Sequence, residues 1–315
     1  MTIIEAGSRG AVSGSNDVSS VDICICTFHR PAVVEALRSL SQQEGSDGVK
    51  FRVVVADNAA DTAAREQIEA TARALNLDCT YVHAPARNIS IARNACLDAS
   101  TAEWLAFLDD DEIASPTWLS ALRREAAGGQ WDAVLGPVQA VYSETAPNWV
   151  RAGNFHSTRP VFVRGRIETG YTGNVLIRRS LVAREGLRFR TEFGRTGGED
   201  EDFFNRLRAA GGRIGFAADA LAYEAIPVER TTLQWLLRRN FRAGQTYGAH
   251  LSAQSRSAVV RSRALALAAA KMSLCALAAA AHLPLAVRRN RYLARAALHC
   301  GVAARLAGMK EVRLY

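Results

Sequence analysis

Apolar and polar positions alternate regularly once the first twenty residues are passed. Residues 21–27 (Val-Asp-Ile-Cys-Ile-Cys-Thr) are largely apolar between polar neighbours, the pattern of a strand buried on both faces. Residues 31–43 space their apolar side chains for a helix, with Pro31 at its start, where a missing N–H does no harm. The same reasoning predicts strands over 51–57 and 78–83, helices over 61–76 and 88–100, and an apolar strand that starts at Trp104. Asn88 or Ser90 suits the cap of the third helix, and Ser115-Pro116 opens a fourth that runs to about Ala127. Connections this short predict adjacent packing: an α/β fold built on a mostly parallel, doubly wound sheet.

The rhythm changes after residues 131–136. Residues 143–170 hold Pro147, Trp149, Pro160 and several arginines without a clear period, which predicts a long loop or irregular hairpin. A strand over 173–177, a helix over 199–210 stopped by Gly211-Gly212, a strand within 213–224 and a helix over 231–247 follow. From Arg256 the chain becomes rich in Ala and Leu, with arginines at both ends. Its longest stretch free of Lys, Arg, Asp and Glu, residues 272–287, contains Pro284 and falls short of the roughly 20 apolar residues of a comfortable membrane span. The expected organisation is a disordered lead-in over 1–20, an α/β domain over 21–250 and a helical basic appendage over 251–315.

Charge sharpens that division. The chain carries +8 overall, but residues 251–315 hold 11 Lys/Arg against the single acid Glu311, which leaves the first 250 residues at −2. Nucleic-acid binding by the α/β domain loses its main support, and the positive charge suits anionic lipid headgroups along 256–310. The six cysteines show no paired metal-ligand spacing, and residues 1–20 lack the apolar core of a signal peptide. Both observations predict a reducing compartment: the cytoplasm, or the cytoplasmic face of the inner membrane.

Candidate chemistry concentrates where strands should end. The strand from Trp104 runs into Asp109, Asp110, Asp111 and Glu112, a cluster that a buried strand does not use. Beyond a strand's C-terminal end, such carboxylates either hold a hard divalent cation or form a solvated turn before the next helix. Asp57 ends the second strand in the same way, either as an acceptor for a base or ribose or as a turn residue. Thr27, Phe28 and Arg30 follow the first strand at the same edge. Arg87 and Arg93 flank a helix start, which suits a bound anion or a solvated helix. Gly197-Gly198 precede Glu199, Asp200, Glu201 and Asp202, where acids either favour the helix dipole or bring a general base to the site. No G-x-G-x-x-G follows the first strand, which disfavours a dinucleotide site.

Six of these pieces occur together: Ile-Cys-Thr-Phe-His-Arg-Pro31, Val-Val-Ala-Asp-Asn58, Ile-Ala-Arg-Asn94, Phe-Leu-Asp-Asp-Asp111, Thr-Gly-Asn-Val-Leu-Ile177 and Gly-Gly-Glu-Asp200. In that order and spacing, residues 20–248 resemble the inverting family 2 glycosyltransferases of GT-A fold, nearest to bacterial exopolysaccharide glucosyltransferases of the succinoglycan type. The resemblance implies a UDP-sugar donor and a divalent Mn²⁺ or Mg²⁺ ion. It implies that Thr27, Phe28, Arg30 and Asp57 hold the uridine, with Arg93 near the nucleotide. Asp109 and Asp111 would form the DXD motif, Asp111 at the metal and Asp109 toward the ribose or sugar, with Asp110 and Glu199 beside the donor. Asn174 would line the sugar or acceptor pocket, and Asp200 would be the base.

The resemblance also marks a departure. Gln234-Trp-Leu-Leu-Arg238-Arg239 matches the Q-x-x-R-W motif of processive members only loosely, which favours single addition over polymer spooling. Transfer of a hexose, glucose first among the candidates, to a lipid-linked saccharide is the resulting expectation. A sugar-1-phosphate nucleotidyltransferase would need a Gly-rich loop after the first strand. A catalytically inactive sugar-binding scaffold of a polysaccharide assembly complex would have no need of both Asp111 and Asp200.

Overall fold

Strands and helices alternate from the start of the computed structural model of the protein, which describes residues 18–45, 48–254 and 257–310. The expected lead-in lies outside the described residues as far as residue 17, as do Arg256 and residues 311–315. β1 (Ser20–Thr27), β2 (Lys50–Asp57) and β3 (Cys79–His83) alternate with α1 (Val33–Ser41), α2 (Arg65–Ala74) and α3 (Ile89–Ala99), and β4 (Trp104–Leu108) follows. After β5 (Glu112–Ala114) and α4 (Trp118–Gly128) come β6 (Ala133–Leu135), β7 (Val138–Tyr142), α5 (Asn148–Gly153) and the hairpin of β8 (Phe162–Val163) with β9 (Arg166–Ile167). β10 (Asn174–Arg178), α6 (Arg179–Arg184), α7 (Glu199–Ala209), β11 (Ile214–Phe216) and β12 (Ala222–Ile226) lead to α8 (Leu233–Gln254), α9 (Ala258–Ala281) and α10 (Ala286–Leu306).

The main sheet has the order β11-β6-β10-β4-β1-β2-β3, parallel throughout except for β10, which runs antiparallel to both neighbours. Period-two alternation sorts its side chains into two cores. Val21, Ile23 and Ile25 of β1 face α1, α2 and α4, while Cys24 and Cys26 face α3, α6 and α7. Burial on both faces is why these strands read as continuous apolar runs.

Two departures from the expected elements shape the site. Residues 112–114 form β5 instead of leading straight into a helix, so α4 begins at Trp118 and the acids lie in a turn between two strands. The single strand expected within 213–224 is two: β11 joins the main sheet, while β12 pairs with β5 and β7 in a separate three-stranded sheet. That small sheet is linked to β4 by the acidic turn, since β5 follows β4 directly in the chain. The irregular stretch 143–170 contains α5 and the β8–β9 hairpin.

In the tail, the charge-free stretch 272–287 straddles a break between helices at residues 282–285, so it never was one element. α9 itself has 24 residues and an 18-residue window of mean hydropathy 1.8, long and apolar enough by length and composition to cross a membrane. α10 packs between α8 and α9, and its contact with α8 is close enough that Gly244 and Gly301 lie against the backbone carbonyls of Leu298 and Phe241. Side chains at those glycines would push the helices apart.

Candidate active site

Because β1, β2 and β4 run parallel, their C-terminal ends share one edge of the sheet, and Thr27 is the register partner of Asp57. The Thr27 hydroxyl donates to Asp110 Oδ2 at 2.7 Å. Arg30 Nη1 donates to Asp110 Oδ1 at 3.0 Å and to Asp111 Oδ2 at 2.7 Å. Asp110 is therefore a buried support that ties β1 to the acidic turn, and Asp111 stands beside it at the cleft. Burial pushes the Asp110 carboxyl up to about 6, against the pull of Arg30 and Thr27. Asp57 is fully buried; it accepts from the Ala59 amide at 2.9 Å and from the Tyr81 hydroxyl at 2.7 Å. Phe28 lies half open with the Arg87 guanidinium 5.8 Å from its ring centre, a flat apolar face with a cation above it.

The α3 and α7 ends meet across this edge. Asn88 caps α3, its side chain accepting from the Ser90 amide at 3.1 Å. One turn on, Arg93 is buried and donates to Glu199 Oε1 at 2.5 Å, with Asp109 3.8 Å away on its other side. Gly197 and Gly198 take φ of +83° and +94°, which L side chains rarely adopt, and a Cβ at Gly198 would lie 2.5 Å from Thr246 on α8. This tight turn presents the first turn of α7 to the cleft. Of its four acids, Glu199 is held by Arg93, Asp202 by Arg206 and Arg190, and Glu201 lies outside the cleft lining, which leaves Asp200 facing the cleft. Burial, and then the neighbouring Glu199, raise the Asp200 carboxyl to about 7.

Between these walls lies a cleft of about 430 Å³. Asp109, Asp111 and Asp200 line it together with Arg30 and Arg93. Thr27, Phe28, Asp57, Asp110 and Glu199 do not, and stand behind or beside it. Asn174 is a correction of placement: it is fully buried, accepts from Trp118 Nε1 at 2.8 Å and donates to the Pro137 and Ala220 carbonyls at 3.0 and 2.8 Å. Its polar groups are consumed in holding α4 and β10 together, so it braces the floor without reaching the cleft.

The cleft also gathers Glu224 and Arg230, which the sequence does not single out, and gives Glu112 and Arg239 a place beside them. β5 and β12 set Glu112 directly opposite Glu224, and both line the cavity with Arg230 and Arg239. Arg230 donates to Glu224 Oε1 at 3.2 Å, and both arginines lie over Trp235, 5.8 and 5.4 Å from its ring centre. Trp235 in turn stacks on buried His156. The one available signal was the four-residue spacing of Trp235 and Arg239, which puts both on the same helix face.

Five carboxylates, Asp109, Asp111, Glu112, Asp200 and Glu224, line the cleft against four arginines, and burial raises Asp109, Glu112, Asp200 and Glu224. Asp109 keeps 44% of its side-chain surface open, so solvent tempers its shift. A divalent cation fits that deficit. Gly173 leaves room beside the acids, since a Cβ there would lie 2.6 Å from Glu112 Oε1 and 3.2 Å from Asp109 Oδ2. Among the described residues no three His, Cys, Asp or Glu side chains converge into a closed metal cage. A sparse set suits an ion held by one or two carboxylates and the phosphates of a ligand.

Comparison with known proteins agrees with this architecture. The profile of Glycosyl transferase family 2 matches residues 22–186. The chain is 47% identical over 300 residues to the succinoglycan biosynthesis protein ExoM of Rhizobium meliloti (strain 1021), covering 95% of this chain and 97% of that one. Among solved structures, S. aureus TarS 1–349 in complex with UDP-GlcNAc aligns with a TM-score of 0.55 at 17% identity, over 92% of each chain. Its complex with UDP gives 0.54 at 18% identity. A longer TarS chain gives 0.53, and there this chain spans 44% of the length. At these identities the structural likeness speaks for the fold, an α/β GT-A architecture with a helical C-terminal region.

Proposed function

Since the chain belongs to glycosyl transferase family 2, we propose that it moves a hexose from a UDP-sugar to a saccharide acceptor by single inverting displacement, in the assembly of a succinoglycan-like exopolysaccharide. The observation that carries this reading is the meeting of Asp200 with Asp109 and Asp111 around one cleft, where Arg93 ties Asp109 to Glu199, the neighbour of Asp200.

In this reading Phe28 and Asp57 receive the uridine, the aromatic face by stacking and the carboxylate through its strand-end position. Arg30 and Arg93 orient the acids. Asp111, helped by Asp109, would hold Mn²⁺ or Mg²⁺, which when bound supplies Lewis-acid neutralisation of the departing diphosphate. Asp200 takes the proton of an acceptor hydroxyl as that oxygen bonds to the anomeric carbon. The bond from that carbon to the β-phosphate oxygen breaks, and UDP leaves on the opposite face. A raised carboxyl near neutrality matches this task, since a base works best when its proton affinity lies near the working pH. One base suffices because no covalent intermediate forms.

The tail supports a lipid-borne acceptor at the cytoplasmic face of the membrane. Leu267, Leu274 and Leu277 of α9 are exposed on one face, and α9 and α10 carry arginines and lysine but no acid. The test is UDP release from a panel of UDP-sugars by purified protein with membrane extract, with and without Mn²⁺. Metal-dependent release from one donor, absent in Asp111→Ala and Asp200→Asn, is the expected result. Full activity in the Asp200 variant sinks the mechanism, and no release from any donor moves the weight to an inactive scaffold.

A further inference from the structure

Among the described residues, two carboxylates of the cleft have no ion pair. One is Asp200, given the role of base above. The other is Glu112, whose companions are all ion-paired: Asp111 to Arg30, Asp109 and Glu199 to a shared Arg93, Glu224 to Arg230. Glu112 is only 4% exposed, and its Oε2 is buried without any hydrogen-bond partner. A buried polar atom left unpaired is costly to keep, so its persistence in a ligand cleft asks for a partner that arrives with the ligand.

Glu112 is also held in place. Its amide donates to the Asp109 carbonyl at 3.1 Å, β5 fixes it opposite Glu224, and the bare Cα of Gly173 lies against Oε1. An immobilised acceptor selects among ligands by geometry, because a misplaced donor cannot draw it over. Its position follows from the chain: it is one residue beyond Asp111, and it shares the cleft with Tyr171 and Thr172. A donor whose diphosphate lies at Asp109 and Asp111 brings its sugar next to this floor. Sugar hydroxyls are donors, and a carboxylate is an acceptor only.

We infer that Glu112 is a specificity-determining residue that accepts a hydrogen bond from one ring hydroxyl of the transferred sugar. The inference rests on the transferase reading above.

The experiment uses the full chain, wild type and Glu112→Gln, with UDP-glucose, UDP-galactose and their monodeoxy analogues. Wild type should prefer its hexose over one monodeoxy analogue by about 10- to 100-fold, the range of a hydrogen bond to a charged group. In Glu112→Gln that preference should shrink about tenfold at that one hydroxyl and stay at the others. Inhibition by UDP and half-saturation by Mn²⁺ should stay unchanged. Glu112→Asp, which keeps the charge and withdraws the acceptor, should lose the same preference and serves if the Gln variant fails to fold. Unchanged ratios across all analogues overturn the inference in favour of a structural role, and a shifted Mn²⁺ requirement overturns it in favour of a metal ligand. A wild type that binds no UDP overturns the transferase reading itself, and Glu112 with it.

Discussion

The cleft and the outer face of α9 break the ordinary rule of burial in opposite senses. In the cleft, carboxylates lie where water is scarce; on α9, Leu267, Leu274 and Leu277 lie where water is abundant. α10 shows that the second departure is not forced by composition. It carries more arginine than its neighbour, yet it buries Ala294, Gly301, Val302 and Leu306. Each departure costs the folded chain something, and under the proposed function a partner of matching chemistry would restore it: a cation with a phosphate ligand in one place, an apolar layer fringed by anions in the other.

If the cleft sacrifices stability for chemistry, removing its charge should separate the two. Asp200→Asn should lower kcat by about 10²- to 10⁴-fold, the usual range for a general base. It should also raise Tm at pH 8 by about 2–4 °C, the response to roughly 1 kcal/mol in a chain of this size. The sign follows from the folded carboxyl titrating near 7 against an ordinary 3.8. The ionised form is penalised in the fold, so wild type loses stability as pH rises between those values, and the advantage of Asn grows across that window and then levels. A melting curve at pH 4 and pH 8 checks it.

The packed side of the tail should behave in the reverse way. Gly301→Ala forces a methyl against the Phe241 carbonyl and should destabilise by about 1–3 kcal/mol, read by urea unfolding. On the bare side, replacing Leu267, Leu274 and Leu277 together with Gln should cut binding to anionic vesicles by about tenfold or more, since each leucine loses its apolar transfer energy. Tm should move by no more than about 1 °C, as exposed sites contribute little to the fold. The smallest effect is in pH. Because Asp200 must be ionised, kcat/KM should climb about tenfold per unit toward pH 7 and flatten above it, measured at saturating Mn²⁺.

The legible part of this molecule was its local part. Apolar runs on β1, β2 and β4, followed at once by Thr27, Asp57 and Asp109, announce a parallel sheet and a common edge, because both facts are written within a few consecutive residues. Gly197-Gly198 ahead of four acids was equally local. What stayed hidden depends on pairing across long separations. β5 is three residues long, too short for any period, and only its partner β12, a hundred residues on, makes Glu112 and Glu224 face each other. Asn174 carried a polar side chain at the head of a strand, and nothing nearby revealed that Trp118 and two carbonyls would claim it. The tail misled for a related reason: a count of uncharged residues crossed the break around Pro284 and missed the 24-residue helix before it.

Under the proposed function, the acidic cleft is completed by a divalent ion together with a nucleoside diphosphate. The most direct measurement is the melting temperature of wild type and Asp111→Ala with Mn²⁺ alone, UDP alone and both, at pH 7.5. Both ligands together, at about 100 times their dissociation constant, should stabilise wild type by roughly 2.7 kcal/mol, about 5–10 °C, with little gain from either alone and none in the variant. An equal rise with UDP alone, or the same rise in Asp111→Ala, would contradict the account.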